Sequence, residues 1–430
     1  MTIDATMNPA SVRLFEQGTV DSLSPIELAG LLADDTAIFD GDEIIIQEPA
    51  PVGPFPEESA LSESSDGEAV ASAATASDAL SLNSRPAAAM TIYLDFDGET
   101  VDDTSWNFDD NATPNNPSDD TYPTINAGPY SRESRSTVDS TLSGYEYDGI
   151  IEVWERVADD FTPWDVNVTT QDPGVDALRR TSASDTKWGI RVIITADSEW
   201  YSTTRFGGVA YLQSFNRSYD LPAWVFSTNL GNGNPKSVAE AASHEVGHTL
   251  GLYHDGIATV DADTGAESTT TYYRGHGAWA PIMGVGYYKT ITQWSKGEYT
   301  GANETQDDLA SIDSYLPRLG TPNTTAPGVL GVNDSQTVHV IAGGGDIARH
   351  TLTINNFPAT ISVDKVDSNG NLLADLTVRG PSGNVVATET PDNESFWSLE
   401  TTLENGSPTG SYLVEVRSIG WGTVDTGFSP

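Results

Sequence analysis

HEVGHTLGLYH, residues 244–254, gathers three histidines and a glutamate into eleven residues of a chain that holds six histidines in all. Ser237 and Glu240 stand upstream at the spacing of a capping box, so the sequence predicts a helix beginning near Ser237. On that helix His244 and His248, four apart, project from one face, while Val238, Ala242, Val246 and Leu250 cover another. Gly251 lets the chain leave the helix through a left-handed conformation, and the turn brings His254 round. Three neutral imidazoles suit one zinc ion and leave a fourth tetrahedral position open, the arrangement of a catalytic metal. Glu245, beside the first ligand, is then the candidate catalytic base for a water. A bare H-E-x-x-H recurs by chance, but the further fixed positions at Gly251 and His254 make chance a poor account.

The full pattern H-E-x-x-H-x-x-G-x-x-H, with a methionine turn after it, resembles the signature of the metzincin metalloproteases. APIMGVGYY, residues 280–288, offers Met283 as the turn methionine. Asp255, directly after His254, is similar to the reprolysin or adamalysin-like branch, whereas matrixin-like members usually carry a small hydroxyl residue there. Where astacins and serralysins place a tyrosine two residues after the methionine, this chain has Val285, so Tyr287 and Tyr288 receive no catalytic role. The resemblance spans about residues 90–318 and rests mainly on the histidine motif. It implies a secreted microbial zinc endopeptidase in which water attacks the peptide bond with Glu245 as general base. It also implies a strand above the cleft that lends its backbone to an extended substrate. GGVAY, residues 207–211, is the candidate, with Gly208, Val209 and Ala210 as substrate-binding residues.

Outward from the motif, the chain reads as three parts. Residues 1–89 are a pro-region, with Leu28, Leu31 and Leu32 at helical spacing and then a flexible acidic linker rich in Pro, Ser, Ala and Glu. Residues 90–320 form a mixed α/β (α+β) catalytic domain. In it MTIYLDFDG from Met90 alternates as a strand, and Ile150, Ile151, Trp154, Val157, Ala158 and Phe161 recur as a helix. Further strands are expected after Trp164 and over 188–196, 206–215 and 223–228. Residues 321–430 change to short β-type runs divided by turn residues, the pattern of an all-β sandwich.

Acidic residues outnumber basic ones 63 to 20, for a formal net charge of −43. Such a surface repels nucleic acid and anionic membranes and favours cationic partners. Either a saline habitat, where screening shrinks the Debye length, or an acidic secreted protein with bound cations accounts for the charge. Without cysteine there is neither a disulfide framework nor a thiolate metal site, and a cysteine-based zymogen switch is impossible. Acids of FDGDEIIIQEP, residues 39–49 (Asp40, Asp42, Glu43 and Glu48), could do that work or merely add to the general charge. No apolar run reaches membrane-spanning length and no signal peptide is visible, although the resemblance implies an extracellular monomer acting on proteins or peptides.

Structural calcium in oxygen-rich turns is a further expectation, with Asp95, Asp97, Asp261 and Asp367 as candidate sites. Its alternative is ordinary turn chemistry. His276 reads as a histidine holding its loop, not as a fourth ligand. Against the enzyme stands the reading of a secreted binding or adhesion protein that keeps the fold without the reaction. Glu245 weighs against it, because a zinc-holding scaffold needs no base.

Overall fold

A computed structural model describes residues 36–40, 43–51, 74–109, 120–133, 141–202, 204–260, 264–319, 347–364, 373–391 and 398–418, with a few shorter pieces between them. By compactness the chain divides into two units. The first holds residues 1–83, 89–151 and 168–251; the second holds 84–88, 152–167 and 252–430.

The first unit is built on a seven-stranded sheet. Its strands are β1 (Ala37–Asp40), β2 (Glu43–Pro49), β3 (Met90–Asp95), β4 (Val166–Thr169), β5 (Trp188–Thr195), β6 (Phe206–Tyr211) and β7 (Ala223–Phe226). They lie in the order β1-β2-β6-β7-β5-β3-β4. β5 pairs in parallel with β3 and with β7, whereas β6 runs antiparallel to both β7 and β2. A central parallel strand is covered on both faces and reads as a continuous apolar run. Residues Ile190 and Val192–Ile194 fit that rule, each nearly or wholly buried. Opposite Thr91 the close approach of β3 and β5 admits only Gly189, where an added Cβ would come within 1.9 Å of the Thr91 carbonyl oxygen.

Apolar side chains from β2, β5, β6 and β7 meet in one cluster containing Ile45, Ile193, Val209, Tyr211, Trp224 and Phe226. Trp106 enters it with its ring 4.5 Å from that of Tyr211 and donates its indole N–H to the Pro222 carbonyl. Helix α1 (Gly144–Asp160) extends further toward the N-terminus than the sequence pattern predicts. Its buried stripe is Ile150, Val153 and Val157, with Phe161 just beyond; Ile151, Trp154 and Ala158 are only half-buried. The helical start expected around Leu28 to Leu32 falls largely outside the described residues.

In the second unit, segment 160–165 is clamped by the residues just before the sequence-derived boundary. The Trp164 indole donates to Asp313 at 2.8 Å, Asp165 N–H to the Pro317 carbonyl, and Leu319 N–H to that of Pro163. Asp313 lies at the end of helix α3 (Asp308–Asp313). The C-terminal described residues are all β. Strands β8 (Gly328–Leu330), β9 (Ile347–Ile354), β11 (Ala374–Arg379), β12 (Val385–Glu389) and β14 (Gly410–Ser418) make a five-stranded sheet, and β10 (Ala359–Asp364) pairs with β13 (Ser398–Leu403). Ile354, Leu376, Val378, Tyr412 and Val414 from the larger sheet share a core with Ile361 and Leu403 from the smaller.

Asn371, just ahead of β11, carries a dense set of bonds within this unit. Its N–H donates to Asp159 and its side-chain amide to Asp160, while its own oxygens accept from Thr292 N–H and the Gln293 amide.

Replacing Gly189 by alanine should destabilise the protein by about 1–3 kcal/mol, because backbone must move apart to admit one methyl group. Urea unfolding checks this: the midpoint should fall at unchanged slope.

Candidate metal centre

Helix α2 (Pro235–Thr249) starts two residues earlier than the sequence pattern predicts. Asn234 is its N-cap, with its side-chain oxygen 3.0 Å from the Ser237 N–H and Pro235 in the first turn. Proline costs nothing there, since its missing N–H would be unpaired in any case, and asparagine is among the best N-caps. Ser237 is therefore inside the helix, its hydroxyl donating to Asn234, and Glu240 binds Lys236 at 2.8 Å instead of closing a capping box. At the other end Gly251 adopts φ 86°, as its place in the motif requires. The chain following β6 ties down this last turn: Gln213 N–H donates to the His248 carbonyl at 2.9 Å and Phe215 N–H to that of Thr249 at 3.0 Å.

His244, His248 and His254 are all buried, and one ligand atom from each lies within 4.8 Å of the others. The rings of His244 and His248 meet nearly edge-on, centroids 4.7 Å apart. Tyr272 packs its ring 4.2 Å from that of His254. Three converging, buried imidazoles without a thiolate fit the ligand set of a zinc ion with an open position.

Glu245 is completely buried, and neither of its carboxylate oxygens accepts a hydrogen bond from the described residues. Burial first, and then the charge of Glu48, hold its carboxyl well above the ordinary range. The carboxylate lies against β6 at Gly208: a Cβ added there would stand 2.4 Å from Glu245 Oε1. Only glycine leaves this space. Tyr201, pushed up to about 12 chiefly by burial, also feels the Glu245 charge, and its hydroxyl accepts from the Gln47 amide at 2.7 Å.

Met283 is fully buried, and its carbonyl accepts from the Asp255 N–H at 2.8 Å, linking the methionine turn to the residue after His254. The Asp255 carboxyl is pushed up to about 8 by burial and by Glu304, opposed by a hydrogen bond from Tyr299. His276 stands outside the triad, its Nδ1 2.7 Å from the Tyr273 hydroxyl, as its reading as a loop histidine requires. Of the turns expected to take calcium, residues 261–263 and 365–369 lie outside the described residues. Asp95 is buried with the Arg191 guanidinium 3.8 Å away.

Gly208, Val209 and Ala210 sit on β6, which has a partner on each side. Gly208 and Val209 pair with β7, and across the other edge Gly208 faces Glu48, Val209 faces Gln47 and Ala210 faces Ile46. The edge expected to be open to substrate is thus taken by β2. Tyr201 and Tyr272 escape a reading of the sequence alone, and Glu48 appears there only as one of four acids, with nothing to set it apart from the others. The run Ile44–Ile46 between acids is a strand signal, but nothing local names its partner.

Residues 161–255 match the family model described as reprolysin-like metallopeptidases of family M12B. No curated protein matches the chain. The match ends at Asp255, just past the third histidine, and together with the buried triad it bears out the resemblance to metzincin-type metalloproteases.

Asn234→Ala should cost about 1 kcal/mol of stability, with Ser237→Ala costing clearly less, since only the first removes the N-cap acceptor. Parallel thermal melts of the two variants compare them directly.

Proposed function

We propose that the chain is a zinc endopeptidase whose metal is held by His244, His248 and His254 and whose general base is Glu245. The observation that carries this reading is the buried convergence of the three imidazoles in a chain whose residues 161–255 match reprolysin-like metallopeptidases. When bound, zinc supplies Lewis acidity, polarising the scissile carbonyl and making water a nucleophile near neutral pH. The three imidazoles, as neutral donors, leave the ion its full positive charge for that task.

Glu245 does the proton work. A carboxyl raised by burial and by Glu48 is a stronger base once ionised, suited to take a proton from the attacking water. The same oxygen then returns the proton to the departing amine. Gly208 supports this role by leaving the carboxylate its room, and the β6 backbone would orient an extended peptide by strand pairing only where β2 gives up that edge.

The proposed catalytic domain is residues 90–320, followed by a β-sandwich at 321–430, for which the core shared by the two C-terminal sheets is the supporting observation. Residues 1–89 are the proposed pro-region, and action outside the cell belongs to the same reading. Among the described residues no helix is long and apolar enough to cross a membrane.

Elemental analysis should find one zinc per chain after reconstitution, and removal by a chelator should abolish casein digestion until zinc is returned. Glu245→Gln should keep the metal and lose turnover by about 10²-fold or more, the range in which a positioned base contributes. Comparable peptide hydrolysis in that variant would give Glu245 another role, whereas casein digestion by neither protein with zinc bound would return the chain to the class of binding proteins.

A further inference from the structure

His254 lies in the loop between α2 and the strand that begins at Ile257. The residue after it is tied to the methionine turn, since the Asp255 N–H donates to the Met283 carbonyl at 2.8 Å. Two short parallel strands brace that turn, Trp279–Pro281 before it and Ile291–Gln293 after it, and the Ile282 N–H donates to the Gln293 carbonyl at 2.9 Å. The Trp279 indole donates to the Gln293 side-chain oxygen at 3.0 Å. Gln293 is therefore the joint of this substructure, and its amide has to face one way to hold Trp279.

That orientation is set by a residue far beyond position 320. The Gln293 amide nitrogen donates to the Asn371 carbonyl at 3.1 Å, which leaves the amide oxygen to Trp279. Next to it the Thr292 N–H donates to the Asn371 side-chain oxygen at 3.1 Å. Thr292 and Gln293 are both buried, where a polar group left unpaired is costly. Asn371 is itself fixed at the end of α1, its N–H 2.6 Å from Asp159 and its amide 2.9 Å from Asp160. Two residues on, the buried Leu373 joins an apolar cluster with Trp279, Ile291 and Tyr299, and the Tyr299 hydroxyl donates to the Gly256 carbonyl at 2.7 Å. One short segment thus supports both residues that follow the third histidine: Asp255 through the methionine turn, and Gly256 through Tyr299.

We propose that Asn371 and Leu373 are positioning residues for the third metal ligand: a segment just ahead of β11 holds the methionine turn, and through it keeps His254 where its imidazole can bind. The catalytic meaning of this link rests on the zinc endopeptidase reading, but the link itself can be measured without metal. Metal ligands depend on such outer contacts, which fix the direction of the ligating ring. A boundary near residue 320 then separates the proposed sandwich from the catalytic strands without separating it from the support of the site.

The test uses full-length proteins. Asn371→Ala removes the side-chain bonds to Thr292 and Asp160 but keeps the two backbone bonds, so it is the mildest cut in the link. Leu373→Ala empties the place beside Trp279, and Leu373→Met refills it at similar volume. Leu376→Ala is the control, because it lowers stability from within the sandwich core, a cluster separate from that of Trp279.

On the metal-free proteins, hydrogen exchange in segments 253–256 and 279–285 should be about tenfold faster in Asn371→Ala and Leu373→Ala than in the wild type, near the wild-type rate in Leu373→Met, and unchanged in Leu376→Ala. Competition against a chromophoric chelator should show zinc held about tenfold more weakly by the same two variants, and the visible absorption of their cobalt-loaded forms should shift, as a displaced ligand requires. Wild-type exchange in both variants overturns the proposal. Faster exchange with unchanged zinc affinity also overturns it, since the turn would then move without moving the ligand. An equal loss in Leu376→Ala does the same by making the effect one of general stability. Where Leu373→Ala does not fold, Asn371→Ala decides against the same control. Zinc binding without hydrolysis of a fluorogenic peptide by the wild type would remove the endopeptidase reading alone, and no zinc on the wild type would remove that reading and the proposal together.

Discussion

A carboxylate wholly enclosed by protein is among the costlier things a fold can hold, and Glu245 is one. Burial disfavours the charged form and the nearby Glu48 adds to that, so the carboxyl holds its proton more tightly than an exposed one. The surrounding structure answers to that constraint. Gly208 gives up its side chain to leave room, β6 continues into a segment that binds the last carbonyls of α2, and α2 itself is buried over almost its full length. Because the helix is held at its C-terminal turn by Gln213 and Phe215, His248 and Glu245 have little freedom relative to β6. Rigid support of this kind holds a charged group in place before a reactant arrives, so little reorganisation is needed when it does.

The parts of this arrangement that obey local rules are legible in the sequence. His244 and His248 share a helical face because of their spacing, Gly251 has the positive φ that the motif demands, and the apolar alternation after Met90 and over 188–196 gives strands where the structure has them. The helix start differs from the expected one because two capping patterns overlap: Ser237 with Glu240 mimics a capping box, while Asn234 with Pro235 makes the actual cap. Glu240 is instead drawn to Lys236, which no capping rule considers.

What is not legible is long-range. Glu48 lies far from Glu245 in the chain, and their meeting depends on β2 choosing β6 as its partner. An acidic linker region has the composition of a spacer, and its strand is betrayed only by the three successive isoleucines at 44–46, all buried in the structure. Tyr201 and Tyr272 are similar cases: aromatic residues in loops, each beside a second aromatic in sequence, that acquire a role through what packs against them.

The bonds made by Asn371 bear on how the polypeptide is assembled in time. This residue reaches back over 211 or 212 positions to Asp160 and Asp159, and meets Thr292 and Gln293 on the way. Contacts of such sequence separation form late, since the entropy of closing the intervening chain must be lost before any of them stabilises the product. During synthesis from the N-terminus, the acidic end of α1 must therefore wait, still hydrated, while more than two hundred residues emerge behind it. The second unit is completed only once Asn371 has emerged, more than two hundred residues after the end of α1, which sets its folding later in synthesis than that of the first unit.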